Sequence, residues 1–455
     1  MLIDDIKKVM GVGSYTIDND IKVWLDCYRG ESYWLQDKYE RLGNDAEDIQ
    51  SLNLCAGIPS ELARLTTMEL KTNVDDENIN EYYQEFIKHI RKFVEYGLAL
   101  GGIVIKPYVE SFENKKIGID IAPADKFVVL GFTSFGEINH IVFIDRIKKS
   151  DKKGNPVYFT RLEEHIISDV YKINNTAYIS NTPDKLGDKS LRLDIIEEWA
   201  NIKETTTLVD RDKPLFAYFK NPQANNLDLD SFEGISCFAK AISLIQDADE
   251  QYQRLLWEFK GGELAIDADV TVLEANGELP AGKKRLYRNL GLDQKDGFYE
   301  VFSPQLRDNN LINGLDYILR RVEYLCGLAY GTLSHVEYTA KTATEIKRSN
   351  ERSYSTVVDI QNELQKALEE FAEIIEYWLG KLKVPVSDNW DISFDFDDSL
   401  VVDSEVEQKI RLQEVAAGIL STEAYLEWRY GATGEQVEDL MPNLDENHND
   451  VLEEE

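Results

Sequence analysis

Residues that carry chemistry are scarce in this chain of 455 residues. Its five histidines, His89, His140, His165, His335 and His448, are not paired at metal-ligand spacing, and no HExxH pattern exists. His140 and His165 fall in β-type sequence, where packing or surface placement is the simpler role. No GxSxG nucleophile elbow occurs. The four cysteines, Cys27, Cys55, Cys237 and Cys326, lie far apart and form no CxxC pair. That spacing argues against a zinc site and a disulfide framework, and for buried free thiols. The expectation is a protein that is not an enzyme and needs no metal or cofactor.

Long hydrophobic runs are missing too. The longest, 96–105, is broken by Gly97, Gly101 and Gly102 and falls far short of the roughly 20 residues that span a bilayer. The opening Met1-Leu2-Ile3-Asp4-Asp5 has acids where a signal peptide needs a basic flank. The sequence therefore predicts a protein that stays in the compartment where it is made, with no membrane partner.

Positive charge is the third shortage. Fifty Lys and Arg stand against 84 Asp and Glu, a net charge of −34. A protein that grips DNA by neutralising phosphates should be basic. This chain either never meets nucleic acid or meets it without holding it. From Asp398 onward, sixteen acids face only Lys409, Arg411 and Arg429, a balance that repels phosphate or keeps the segment solvated.

What is present is 43% hydrophobic and 11% aromatic residues, enough for two or three domains with real cores. The first hundred residues read as helical, with Trp24, Tyr28, Tyr33 and Trp34 as aromatic anchors and helices over 51–70 and 81–100. Pro59 should sit in a first turn or kink its segment. Two-residue alternation then predicts an antiparallel meander over 103–105, 117–121, 127–130, 140–147 and 157–179, with turns at 153–156 and at Asn174-Asn175 and a further strand at 215–219. A stripe of Ile235, Phe238, Ile242, Ile245, Asp249, Tyr252, Leu256 and Phe259 predicts one long helix over 231–259. Gly261-Gly262 stops it, and short β segments follow at 264–266, 270–273, 285–287 and 298–302. A second helix begins near Leu306. After a polar stretch, a very long helix runs from Ala343 to about Leu379, roughly 55 Å, opened by a Thr342/Glu345 capping box. A strand at 392–396 and a small helical region close the chain, with a Ser404/Glu407 capping box and helices at 421–430 and 435–440. The fold class is α+β and mostly helical.

Three patches invite functional readings. Residues 277–284 match GxxxxGK, but Lys284 stands where a P-loop needs Ser or Thr, and strand-like sequence follows instead of a helix. A hairpin turn fits better. Asp395-Phe396-Asp397-Asp398 could hold a divalent cation, although a solvated strand end is the simpler account. Lys283, Lys284, Arg285 and Arg288 form the one dense basic patch, open to two readings: a solubilising loop, or a docking surface for an acidic partner or phosphate.

The order of elements is more specific than any of these. Ser51-Leu52-Asn53-Leu54-Cys55-Ala56 with Glu61-Leu62-Ala63, then Arg161-Leu162-Glu163-Glu164-His165 with Tyr171-Lys172-Ile173-Asn174-Asn175, resembles the early helix and wing meander of portal proteins of tailed bacteriophages, the type common in phages of Gram-positive bacteria. Phe232-Glu233-Gly234-Ile235-Ser236 resembles the entry to their first stem helix. Cys326-Gly327-Leu328 followed by Lys341-Thr342-Ala343-Thr344-Glu345-Ile346 resembles the end of the second stem helix and the start of the long helix after the tunnel loop, and Ser421-Thr422-Glu423 falls where crown helices are expected.

The resemblance implies a ring-forming portal fold. Residues 1–230 would build the wing, 231–260 the first stem helix, 261–305 the clip, 306–329 the second stem helix, 330–342 the tunnel loop, 343–397 the long wing helix and following strand, and 398–455 the crown and acidic tail. It also implies a head-tail connector: a ring of twelve copies at one capsid vertex, through which double-stranded DNA is packaged and ejected without sequence specificity. Its expected partners are further copies of itself, the terminase large subunit, a head-completion adaptor, and major capsid and scaffolding proteins. It would be found in the virion, and in the host cytoplasm during assembly. On this view Ser334, His335, Glu337, Tyr338 and Lys341 lie near DNA in the tunnel loop. Lys283, Lys284, Arg285 and Arg288 dock partners at the clip. Asp247, Asp249 and Glu250 are candidates to face the channel from the stem, with a hydrated helix surface as their plainer role. Two other readings compete: an acidic carbohydrate-active hydrolase, which would need two carboxylates about 5 Å apart if retaining, and a virion assembly protein without a channel.

Overall fold

A computed structural model describes residues 2–11, 17–35, 50–151, 153–189, 192–261, 265–268, 287–289, 299–302, 305–335, 343–396 and 404–430. The chain divides into a large unit, residues 1–394, and a small one, residues 395–455.

The large unit opens with α1 (Leu2–Val9), α2 (Ile17–Tyr28), α3 (Leu54–Thr67), β1 (Leu70–Val74), α4 (Glu77–Ile87) and α5 (Ile90–Leu100). Pro59 lies inside α3. The single helix expected over 81–100 is two, parted at Lys88 and His89, where His89 leaves helical geometry at φ −115°. Asp76 starts α4 by accepting from the N–H groups of Asn78 and Ile79 at 2.9 and 3.0 Å. Such a cap satisfies donors that have no partner within the helix.

The strands follow: β2 (Gly102–Ser111), β3 (Lys116–Pro123), β4 (Phe127–Phe132), β5 (Ile138–Ser150), β6 (Pro156–Ile166), β7 (Tyr171–Ser180), β8 (Asp188–Lys189), β9 (Thr205–Leu208) and β10 (Ala217–Lys220). One sheet has the order β10-β2-β3; the larger runs β4-β5-β6-β7-β8, with β9 also on β7. Neighbours pair antiparallel throughout. The expected turn at Asn174-Asn175 is instead the middle of β7. Both amides have cross-strand partners there: Asn174 Nδ2 donates to Glu164 Oε2 at 3.0 Å and Arg161 Nη1 donates to Asn175 Oδ1 at 2.9 Å. With their hydrogen bonds used across the sheet, nothing is left to favour a local turn.

Next come α6 (Ile242–Gly261), β11 (Ala265–Ala268), β12 (Tyr287–Asn289), β13 (Tyr299–Phe302), α7 (Asp308–Cys326), α8 (Ala343–Lys381) and β14 (Ile392–Phe396). The stretch 231–241, expected to be helical, is irregular, then a turn, and becomes 3₁₀ only at Ala239–Ala241. Its backbone is committed elsewhere: Cys237 N donates to Leu98 O at 2.9 Å, and Asn221 Nδ2 donates to Ile235 O at 2.7 Å. Ile235 and Phe238 are buried as their spacing foretold, but not on a helix. At this crossing Gly101, at φ 93°, faces Gly234, and a Cβ on Gly234 would stand 2.1 Å from Gly101 O. Only glycine tolerates both the left-handed backbone and the approach.

One core joins these layers. The buried face of α8 repeats at three- and four-residue steps through Val357, Ile360, Leu364, Ala367, Leu368, Phe371, Ile375 and Leu379. Phe371 is fully buried, its ring 4.9 Å from Phe86 and 6.1 Å from Tyr83. Truncation of such a side chain costs about 3–5 kcal/mol. All four cysteines are free and buried.

Among these sheets sits a buried polar network. Glu163 Oε1 accepts from Lys106 Nζ at 2.9 Å and pairs with His165 Nε2 at 2.8 Å, while Glu163 Oε2 accepts from Arg161 Nη1 at 2.7 Å. His165 Nδ1 meets the Tyr171 hydroxyl at 2.6 Å, which in turn accepts from Leu215 N at 3.2 Å. Burial opposes the Glu163 charge, but Lys106, His165 and Arg161 outweigh it and hold its carboxyl well below the usual range.

In the small unit, α9 (Ser404–Ala416) and α10 (Thr422–Tyr430) pack together, the Arg411 guanidinium 4.4 Å from the Trp428 ring centre. Ser421 Oγ accepts from Ala424 N at 3.1 Å and so caps α10. The helix expected over 435–440 lies outside the described residues. Among the described residues, no helix is long and apolar enough to cross a membrane.

Candidate functional site

The functional reading centres on the paired helices α6 and α7, the small sheet that follows α6, and the turn that leads from α7 toward α8. The two helices pack along their length. Gln251 Nε2 donates to Leu311 O at 3.2 Å, and Glu258 meets the Arg307 guanidinium at 2.8 Å. In the sheet, β11 lies between β12, parallel to it, and β13, antiparallel. Arg288 belongs to β12, in register with Asp267. Lys283, Lys284 and Arg285, the GxxxxGK match and the strand expected over 270–273 lie outside the described residues.

The three stem acids part company. Asp247 is exposed and Glu250 half-buried, with Arg254 at 3.6 Å from Glu250. Asp249 is the correction: it is fully buried inside its own chain. Its Oδ2 accepts from Trp34 Nε1 and Ser51 Oγ, both at 3.0 Å, and its Oδ1 accepts from Leu52 N at 2.7 Å. Burial pushes its pKa up, and these bonds work against that. A carboxylate used this way ties α6 to the N-terminal segment and cannot line a channel.

At the end of α7, Gly327 takes φ 73° and closes the helix, and Leu328 N returns to Glu323 O at 2.9 Å. This is the left-handed closure that glycine permits. The Arg352 guanidinium stacks 3.9 Å from the Tyr324 ring centre and donates to Tyr324 O at 2.9 Å, and Ser353 Oγ accepts from Ala329 N at 2.6 Å. Residues 331–335 then run back along α7. The carboxylate of Glu323, fully buried, accepts from Gly331 N, Leu333 N and Ser334 N at 3.1, 2.6 and 2.8 Å, and from Ser334 Oγ at 3.0 Å. Asp316 Oδ1 accepts from His335 N at 2.6 Å and also pairs with Arg320 at 2.8 Å.

Of the residues expected in a tunnel loop, Ser334 is therefore turned inward and buried, a second correction, because its hydroxyl is spent on Glu323. His335 is exposed. Glu337, Tyr338 and Lys341 lie outside the described residues, as do Thr342 of the expected capping box and Asp397 and Asp398 of the acidic run. Sequence inspection missed Glu323 altogether. Its only signal was an acid on the apolar side of α7, beside Val322 and Cys326.

Among the described residues, no three His, Cys, Asp or Glu side chains converge to hold a metal ion. The surface of the helix pair carries instead exposed large apolar side chains: Trp257 and Phe259 on α6, Leu306 just before α7, and Ile312, Tyr317 and Tyr324 on α7.

The helical pair and its small sheet are followed by a helix of 39 residues. The family model described as phage portal protein, SPP1 Gp6-like, matches residues 65–449, and the chain belongs to that family. No curated protein matches it significantly. Portal proteins of phages are structural components of the virion, and this is the class in which the chain stands.

Proposed function

We propose that this protein is the subunit of a closed ring, of twelve copies, that forms the channel for double-stranded DNA at one vertex of the capsid. In this reading residues 1–230 and the long helix make the wing, α6 and α7 the stem, residues 261–305 the clip, residues 330–342 the tunnel loop, and residues 398–455 the crown. Packaged DNA would enter through the ring and later leave by it. The clip would dock the terminase large subunit during packaging and a head-completion adaptor afterwards, its basic residues Lys283, Lys284, Arg285 and Arg288 meeting acidic surfaces. Capsid and scaffolding proteins would surround the wing.

The observation that carries the ring is the set of large side chains that the helix pair exposes. Tyr317 is 62% exposed, with Phe259, Leu306, Ile312 and Tyr324 also open to solvent. Apolar area exposed on both helices is surface that another protein can cover. In a heterologous ring, each copy covers the next. The charge of −34 supports the conduit. Acidic walls keep a hydrated, ion-filled gap around the duplex, so phosphates are not held and movement is not stalled. Asp247 and Glu250 are the stem acids free to contribute, and His335 and Lys341 are the groups suited to brief phosphate contacts.

Native mass measurement and averaged end-on images of the purified protein test this. A ring with a central hole wide enough for a duplex is expected. A protein that stays monomeric at every concentration would overturn it.

A further inference from the structure

The turn after α7 carries an inference that rests on the tunnel-loop reading and goes beyond it. A buried carboxylate ordinarily needs a cation or several hydrogen bonds to offset its lost hydration. Glu323 takes four hydrogen bonds from one short arm: three from backbone N–H groups and one from a hydroxyl within residues 331–334, at 2.6 to 3.1 Å. Two helical turns earlier on the same helix, Asp316 takes the next amide, His335 N, at 2.6 Å, and Arg320 Nη2 donates to His335 O at 3.4 Å. Glu323 and Asp316 are seven residues apart, about 10 Å along the helix axis. The arm is thus fastened at two heights to α7 and runs back along it.

We propose that Glu323, seconded by Asp316, is a positioning residue for DNA passage. It splints residues 331–335 to the second stem helix, so that the chain is delivered to the channel only beyond His335. The loop free to meet DNA is then shorter than 330–342, and the point from which it starts is set by a side chain that never touches DNA. Any shift of α7 carries that starting point with it, because the splint couples the arm to the helix through charge-assisted bonds rather than through a flexible tether.

Glu323→Gln tests this in the full-length protein. The amide keeps an oxygen for the three N–H groups that meet Oε1 but removes the charge that strengthens those bonds, and it turns its N–H₂ toward the Ser334 hydroxyl. Hydrogen exchange in peptides covering 328–335 should rise by about tenfold or more, while exchange in the rest of α7 and the ring seen by electron microscopy stay unchanged. Phage particles assembled with this variant should hold markedly less nuclease-protected DNA. Ser334→Ala, which removes one bond of four, should show the same two effects at smaller size, and Ser334→Thr, which keeps the hydroxyl, should restore both. Unchanged exchange over 328–335 in Glu323→Gln would overturn the splint. Raised exchange with normal DNA content would overturn the positioning role. If Glu323→Gln prevents ring formation, the Ser334 pair decides by the same two readouts. Deleting residues 336–342 tests the underlying reading separately: normal DNA filling by that deletion would remove the tunnel-loop assignment and leave the splint, judged by exchange, standing.

Discussion

The indole Nε1 of Trp34 donates to Oδ2 of Asp249 at 3.0 Å, across 215 positions of sequence, with both side chains buried. Ser51 Oγ and Leu52 N complete the shell. This cluster fastens the N-terminal helices to α6, so the orientation of α6 depends on a residue that by spacing alone looked like a break in an apolar stripe.

Asp249→Ala should therefore cost about 3 kcal/mol, because it leaves a buried indole N–H and a backbone N–H without acceptors. Asp249→Asn, which offers a single acceptor oxygen, should cost about 2 kcal/mol. Asp247→Ala, at an exposed position of the same helix, should change stability by less than about 0.5 kcal/mol. Denaturant unfolding of the three variants checks the order.

The Glu163 network predicts acid sensitivity. Burial lowers the pKa of His165 below its usual 6.5, against the pull of Glu163, so this ring takes up a proton less readily in the folded protein than in the unfolded chain. Its contribution is complete above 6.5 and is lost as pH falls through the depressed value. Glu163 is also depressed, so its contribution is complete above about 4.5 and is lost as pH falls further. Melting temperature should decline on acidification in these two stages. His165→Gln should remove the upper stage and leave the lower, as read from melting temperature against pH.

The crossing of Gly101 and Gly234 predicts a sharp contrast among glycines. Gly234→Ala would put a methyl 2.1 Å from Gly101 O, and it should cost more than about 3 kcal/mol or abolish folding. Gly57, exposed in α3 with nothing within 4 Å of an added Cβ, should gain about 0.5–1 kcal/mol on conversion to alanine. Thermal unfolding of both variants measures the difference.

Assembly and folding should separate on α7. Tyr317→Glu alters a side chain 62% exposed in the single chain, so monomer stability should shift by no more than about 0.5 kcal/mol. If a neighbouring copy covers this position, the buried charge should weaken association by about tenfold or more. Sedimentation over a range of concentrations reads this out, and an unchanged distribution would place the subunit contact elsewhere.

Much of the architecture was legible from the chain. The last helix-strand pair of the large unit was read almost to the residue: the long helix, expected over 343–379, ends at Lys381, and the strand was expected over 392–396, where β14 lies. The meander of β2 to β7 was legible in its alternation, apart from the displaced turn at Asn174-Asn175. The site was far less legible. Ser334 was named for its position in a polar loop, yet it is buried; Asp249 was a candidate for a channel face or a hydrated helix surface, yet it braces the core.

What the sequence determined by itself is whatever depends on neighbours three or four positions away: helical stripes, strand alternation, glycine stops, and a charge balance hostile to tight phosphate binding. The tertiary structure alone decided where long-range partners outbid local ones. The segment 231–241 has helical spacing, but Leu98 and Asn221 take part of its backbone and keep it out of the helix. Glu323 reads as an ordinary helical acid until the returning arm brings three amides and a hydroxyl to it. Periodicity reports which face of an element is apolar; it carries no record of which distant donor will meet a given carboxylate, since that is settled only when the chain closes on itself.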